Sequence, residues 1–262
     1  MKRSQTGFAH FAIVLVLMVI AVVVGVGYYV LSKNRDSSQG SQSVSSNRNE
    51  SGSSTDCPDP LLVPPVDTEK VTSILYPGQT RGGQYKPHGG FRMDGSSNAV
   101  EVKAPMDAKL VAGSRYIEQG EQQVLLDFQT SCGVNFRFDH LLTLSPEIQA
   151  VVDTLPPAKP DDSRTTNFDE QISVKTGDVI ATAVGFAKTN NAAFDFGVYD
   201  TRQPNSASKD SKYKAAHPDL DNNEQLKYAV CWLDLFSPAI ANTLKALPAG
   251  DQASGKSSDY CI

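Results

Sequence analysis

The chain has 262 residues, 40% hydrophobic and 20% charged, with 24 Lys and Arg against 29 Asp and Glu. That length allows one sizeable core, and the composition excludes collagenous, coiled-coil and wholly disordered classes. A net charge of −5 and the lack of any long Lys/Arg run exclude a nucleic-acid binder working through a basic face.

The first third differs from the rest. Phe8 to Leu31 is 24 residues without a charge, fourteen of them Val, Ile, Leu or Met, and a helix of about 20 apolar residues spans a bilayer. The run is longer than a signal-peptide core and ends without a small-residue cleavage pattern, so it reads as a retained transmembrane helix. Residues 1–7, with Lys2 and Arg3, then stay inside. The chain reads as a single-pass membrane protein with an extracytoplasmic C-terminal domain. Residues 32–70 read as a flexible linker, because the serine-rich stretch from 32 to 56 cannot bury enough to fold.

Cys57, Cys132, Cys231 and Cys261 all follow the span, and an even number outside the membrane suggests two disulfides. Sequence leaves three pairings open; the reading leans to Cys57–Cys132 and Cys231–Cys261. No two cysteines have C-x-x-C spacing, which argues against a cysteine zinc site.

From residue 71 the pattern is β. Short β-branched or aromatic runs, such as Gln123 to Phe128, Val134 to Phe138, Asp178 to Val184 and Phe194 to Tyr199, are separated by Gly, Asp, Asn and Pro. The expected fold is all-β, mainly an antiparallel sandwich or barrel over residues 71–202, with a few short helices. An insertion covers about 143–172, and 203–262 form a partly helical extension. Ser145-Pro146-Glu147 and Ser237-Pro238 each open a helix, with Ser as N-cap and Pro at N1. Glu224 to Phe236 is either a helix or a last strand. His217, before a proline in a polar loop, is expected to be exposed.

Chemistry points to His88, His140 and Asp195. His88 opens His-Gly-Gly-Phe-Arg92-Met-Asp94. Ala104-Pro-Met-Asp107-Ala follows, then Phe138-Asp-His140-Leu, Val174-Lys-Thr-Gly-Asp178-Val-Ile180 and Ala193-Phe-Asp195-Phe-Gly-Val198. In this order the segments resemble the lysostaphin/LytM-type zinc metallopeptidases, which cut peptide cross-links in bacterial cell walls. The resemblance covers about residues 74 to 200 and implies that family's β fold. It implies that His88 matches a zinc ligand and His140 a catalytic histidine. Arg92 falls where the family has its Asp ligand, with Asp94 the nearest acid. Ala193 and Asp195 fall where the family has H-x-H.

Two readings follow from the resemblance. In one, His88, Asp94 and Asp195 hold Zn²⁺ and His140 assists, giving an active metalloendopeptidase with an altered site. In the other no metal is bound, Arg92 replaces its charge among the carboxylates, and a pseudoenzyme binds peptidoglycan or a cell-wall protein. The sign of that substitution is self-consistent, and the reading favours it. A plain β adhesion module is the third option. No G-x-S-x-G or P-loop element is present.

Overall fold

The computed structural model describes residues 56–261. The apolar run 8–31 lies outside them; among the described residues no helix is long and apolar enough to cross a bilayer. The chain is mostly β. The strands are β1 (Ser73–Leu75), β2 (Gln79–Arg81), β3 (Gln84–Lys86), β4 (Gly89–Arg92), β5 (Val102–Lys103), β6 (Ala108–Glu118), β7 (Glu121–Gln129), β8 (Val134–Leu144), β9 (Lys159–Pro160), β10 (Thr166–Val174), β11 (Val179–Val184) and β12 (Ala193–Asp200). Ten form one sheet in the order β1-β4-β12-β8-β7-β6-β10, with β11 joined to β5 and β8, and β9 to β6. The sheet is mixed: β9 runs parallel to β6 while β4, β12, β8, β7 and β6 pair antiparallel. β2 and β3 make a separate hairpin.

Alternation along the central strands gives the sheet two unlike faces. Phe91, Phe194, Phe196, Phe136, Phe138 and Phe128 lie on one face and are fully buried. Their rings pack at centroid distances of 4.7 Å for Phe128–Phe136, 5.3 Å for Phe138–Phe196 and 5.6 Å for Phe91–Phe194. The intervening residues, Asp195, Gly197, Arg137 and Asp139, occupy the opposite face and pair across β12 and β8 as Asp195↔Asp139 and Gly197↔Arg137. Apolar burial thus fixes the register, and the register gathers the polar residues.

The C-terminal segment pairs with the end of β12 that runs past β4. Helix Glu224–Tyr228 leads to Ala229 and Val230, which bond to β12 through a Tyr199↔Ala229 bridge and Val230 N to Val198 O at 3.1 Å. Trp232 then packs on the aromatic face, 4.8 Å from Phe91 and 5.3 Å from Phe196. Disulfides join Cys57 to Cys132 and Cys231 to Cys261. The last residues hold the β2–β3 hairpin: Gln79 Nε2 donates to Gly255 O at 2.9 Å and Ser257 O at 2.6 Å, and Tyr85 donates to Asp259 at 2.8 Å.

Several sequence readings need correction. The packed unit begins before residue 71: Leu62 and Val66 are buried, and Leu62 N bonds Leu235 O at 3.0 Å. Apolar residues in an otherwise Pro- and Asp-rich stretch were enough to dock it. Part of the expected insertion is β10, a sheet edge bonded only to β6. Glu224 to Phe236 is neither one helix nor a strand but a short helix, a crossing and a 3-10 turn at Trp232–Leu235. His217 is half-buried, because Tyr85 of the β2–β3 hairpin, 4.2 Å away, and Tyr213, one turn back on the helix that His217 caps and 4.4 Å away, cover its ring.

Candidate functional site

The polar face has its focus where β8 changes partner. Val134 to Asp139 of β8 pair with β12, and Leu141 to Leu144 with β11. Between the pairs Val124↔Leu141 and Leu126↔Phe138, two residues of β8 oppose one of β7, a β-bulge at Asp139–His140. His140 takes φ +61°, a left-handed conformation that costs a non-glycine residue about 1–3 kcal/mol. Its carbonyl is fixed by Gly185 N at 2.7 Å. The bulge breaks the two-residue alternation, so Asp139 and His140, neighbours in sequence, both reach the polar face.

Asp195 is the centre of the group. Its Oδ2 lies 2.9 Å from His88 Nε2 and 3.7 Å from His140 Nε2, and its Oδ1 lies 3.8 Å from Arg81 Nη2. Neither ring nitrogen of His88 has an aligned hydrogen-bond partner, so its approach to Asp195 is a close polar contact, not a linear bond. Burial opposes ionisation of Asp195, but the charges of His88, His140 and Arg81 outweigh it and hold the carboxyl well below the usual range. Burial likewise opposes protonation of His140; Asp139, Asp195 and Glu118 outweigh it and raise the imidazole pKa. Gly197 is needed here, because a Cβ at that position would sit 2.5 Å from the Tyr199 hydroxyl and 3.1 Å from His88 Cβ.

Tyr116 completes the His140 side. Its hydroxyl donates to Asp139 Oδ1 at 2.7 Å and lies 3.2 Å from His140 Nδ1. Burial first, and then the Asp139 charge, raise the Tyr116 pKa and keep the phenol protonated. Asp139 Oδ1 also accepts from the backbone N of His140 at 2.7 Å. Phe186 packs on the His140 ring at 5.0 Å, and its loop is tied to the β6–β7 turn by Glu121, which accepts from Ala187 N at 2.9 Å and Lys188 N at 2.8 Å.

The structure therefore brings together His88, His140 and Asp195. It does not bring Asp94 to them. β4 ends at Arg92, and Asp94 lies in the following turn, four residues beyond Gly90, the strand partner of Asp195. Asp94 accepts from Thr72 Oγ1 at 3.2 Å and pairs with Arg92 at 2.9 Å, its side chain 53% exposed. Strand alternation continued through residue 94 would turn Asp94 to the site's face, but the strand ends two residues earlier. Arg92 is also displaced from its expected role: it faces Asp94, and the guanidinium beside Asp195 belongs to Arg81. Arg81 is held by Tyr76 O at 2.6 Å and His88 O at 3.1 Å. Arg81, Tyr116 and Asp139 were not singled out from sequence. Arg81 stands in a Gly-rich hairpin with no periodicity to mark it, whereas Asp139 is adjacent to a histidine that was marked.

The donors do not fit the zinc ion that the resemblance implies. Among the described residues no group of three or more His, Cys, Asp or Glu side chains is arranged to hold a metal. The two imidazoles converge on one oxygen of Asp195, at 2.9 Å for His88 and 3.7 Å for His140, so they share a single carboxylate oxygen. Arg81 adds a fixed positive charge at the same carboxylate. Among the described residues no Ser, Thr or Cys side chain hydrogen-bonds either imidazole, so no activated nucleophile of that kind is assembled. What remains is a largely buried cluster of imidazole, phenol, guanidinium and carboxylate groups centred on Asp195. Compared with family models, characterised proteins and solved structures, the chain matches none.

Proposed function

We propose that the chain is a membrane-anchored, extracytoplasmic domain of lysostaphin-like type that binds cell-wall peptidoglycan on its polar sheet face without hydrolysing it. One observation carries this reading: Asp195 faces the fixed positive charge of Arg81, with His88 and His140 beside it and Asp94 outside the group. A cation of the protein occupies the electrostatic role that a bound metal would otherwise take. Two disulfides are in keeping with an oxidising compartment outside the membrane. The apolar run 8–31 supplies the anchor in this reading.

The test combines metal analysis with sedimentation. The full chain, purified in detergent without chelator, is offered zinc and analysed by mass spectrometry, then mixed with purified sacculi with and without EDTA. The expected result is less than about a tenth of a zinc per chain, EDTA-insensitive co-sedimentation, and no soluble fragments released. About one zinc per chain, lost in His88→Ala, would overturn the reading in favour of a metalloendopeptidase. Failure to sediment with sacculi would overturn peptidoglycan as the ligand.

A further inference from the structure

A second polar pocket lies on the same sheet face, between the strands and helix Glu224–Tyr228, with a volume of about 240 Å³. That is below the roughly 300–1,000 Å³ of pockets that take whole drug-sized ligands. It suits a single group the size of a side chain. Asn135, Arg137, Tyr199, Thr201, Glu224 and Tyr228 contribute to its lining.

The positive charge in the pocket is already used. Arg137 donates Nε to Asp127 Oδ1 at 2.6 Å and Nη2 to Asp127 Oδ2 at 2.8 Å. The amide of Gln225, oriented with its oxygen toward the guanidinium, accepts from Arg137 Nη1 at 2.6 Å. An anion would gain little from so fully engaged a guanidinium.

Acceptors are what remain. Asn135 Oδ1 is buried without a hydrogen-bond partner, and so is the hydroxyl of Tyr199, a residue only 8% exposed. Thr201 donates its hydroxyl proton to Gly133 O at 2.8 Å, which leaves its oxygen lone pairs. Glu224, at the first position of its helix, is exposed and has no ion-pair partner among the described residues. Of the charged lining groups, Asp127 and Glu224 stand against Arg137 alone. The complementary ligand group brings donors, no acceptors and a positive charge. An ammonium has three donors and no acceptor. Val111 and Tyr228 offer apolar surface for an aliphatic stem.

We propose that this pocket binds a primary ammonium group on an aliphatic stem, such as a lysine side chain, with Asn135 and Glu224 as its acceptors. The pocket depends on the C-terminal segment, which supplies Glu224, Gln225 and Tyr228, and it adjoins the His88–Asp195 cluster at Tyr199, whose hydroxyl lies beside Gly197 and His88. The proposal does not rest on the peptidoglycan reading, since neither Asn135 nor Glu224 faces Asp195.

Calorimetric titration of the full chain with Nα-acetyl-lysine amide tests it, with the Nε-acetylated compound as the neutral control. The expected result is saturable binding that weakens at least about tenfold on Nε-acetylation and about tenfold in Glu224→Gln, the two changes that remove the charge from one side or the other. Asn135→Ala should weaken it several-fold. Glu224 is exposed, so Glu224→Gln should melt like the parent. No saturable binding, equal affinity for the neutral control, or an unchanged affinity in Glu224→Gln would each overturn the proposal. Because sacculi are not involved, a failed sedimentation assay leaves this result standing.

Discussion

Replacing Asp195 by Asn keeps the side-chain volume and removes only the charge that organises the cluster. The carboxylate is 15% exposed and faces Arg81, His88 and His140. Removing one member of such a buried charge group costs about 3–5 kcal/mol, since the partners are left desolvated and uncompensated. In a domain of 150–250 residues each kcal/mol moves the melting temperature by about 2–4 °C, so the drop should be on the order of 10 °C. The Asp94→Asn variant is the control, because its pair with Arg92 is half exposed and such surface pairs are worth at most about 1 kcal/mol. The pH dependence adds a second signature. His140 has a raised folded pKa, so its contribution is complete below the unfolded value of about 6.5 and is lost as pH rises through the folded pKa. Asp195 has a depressed pKa, so its contribution is present above about 3.9 and is lost as pH falls toward the folded value. The cluster therefore stabilises most between about pH 4 and 6.5. Melting curves by circular dichroism across pH 5–9 are the assay. Parental stability should fall above neutral pH more steeply than that of Asp195→Asn. Equal melting shifts for the Asp195 and Asp94 variants, or an unchanged pH slope, would refute the assignment of Asp195 as the charge centre.

Other consequences are narrower. His140→Gly and His140→Ala both delete the imidazole, but only glycine relaxes at φ +61°, so the glycine variant should be the more stable of the two by about 1 kcal/mol in urea titrations. Opening Cys57–Cys132, with a sequence separation of 75, should cost about 4.5 kcal/mol by loop entropy, against about 3.6 for Cys231–Cys261, with 30; thermal melts of the paired Ser variants rank them. Asp107 accepts from Lys175 Nζ at 2.8 Å and from Thr176 N and Oγ1, each at 2.9 Å, and these bonds bring its pKa down to about 2. Its carboxyl carbon should titrate near that value by NMR, and Lys175→Ala should return it toward 3.8.

What could be read in the sequence depended on whether a residue's surroundings were set by its own strand. β8 and β12 were readable because phenylalanines alternate with polar residues, and that period gives both the strand and its buried face. β10 was not, since Thr166–Val174 buries only Phe168 and Val174 and lies at a sheet edge, so it lacks the alternation that betrays a half-buried strand. The extent of β4 mattered more. Parity carried through residue 94 turns Asp94 toward the site, but the strand ends at Arg92, and no period in the sequence marks that end.

His140 shows the opposite failure of parity. Regular alternation through Phe136 and Phe138 would send Asp139 to the polar face and His140 back to the core. Only the bulge, with its left-handed backbone, lets both act together. Motif order placed His140 in a site; strand arithmetic alone would have removed it. Arg81 was beyond both kinds of reasoning. Its position is fixed by carbonyls of Tyr76 and His88, and its hairpin by a C-terminal tail some 175 residues away in sequence, with Gln79 bonded to Gly255 and Tyr85 to Asp259. A residue's chemistry is written in its type, but a counter-charge is defined by whichever segment the fold brings against it. The carboxylate Asp195 could therefore be found from the chain, whereas the choice between Arg92 and Arg81 as its partner required the packing of the tail.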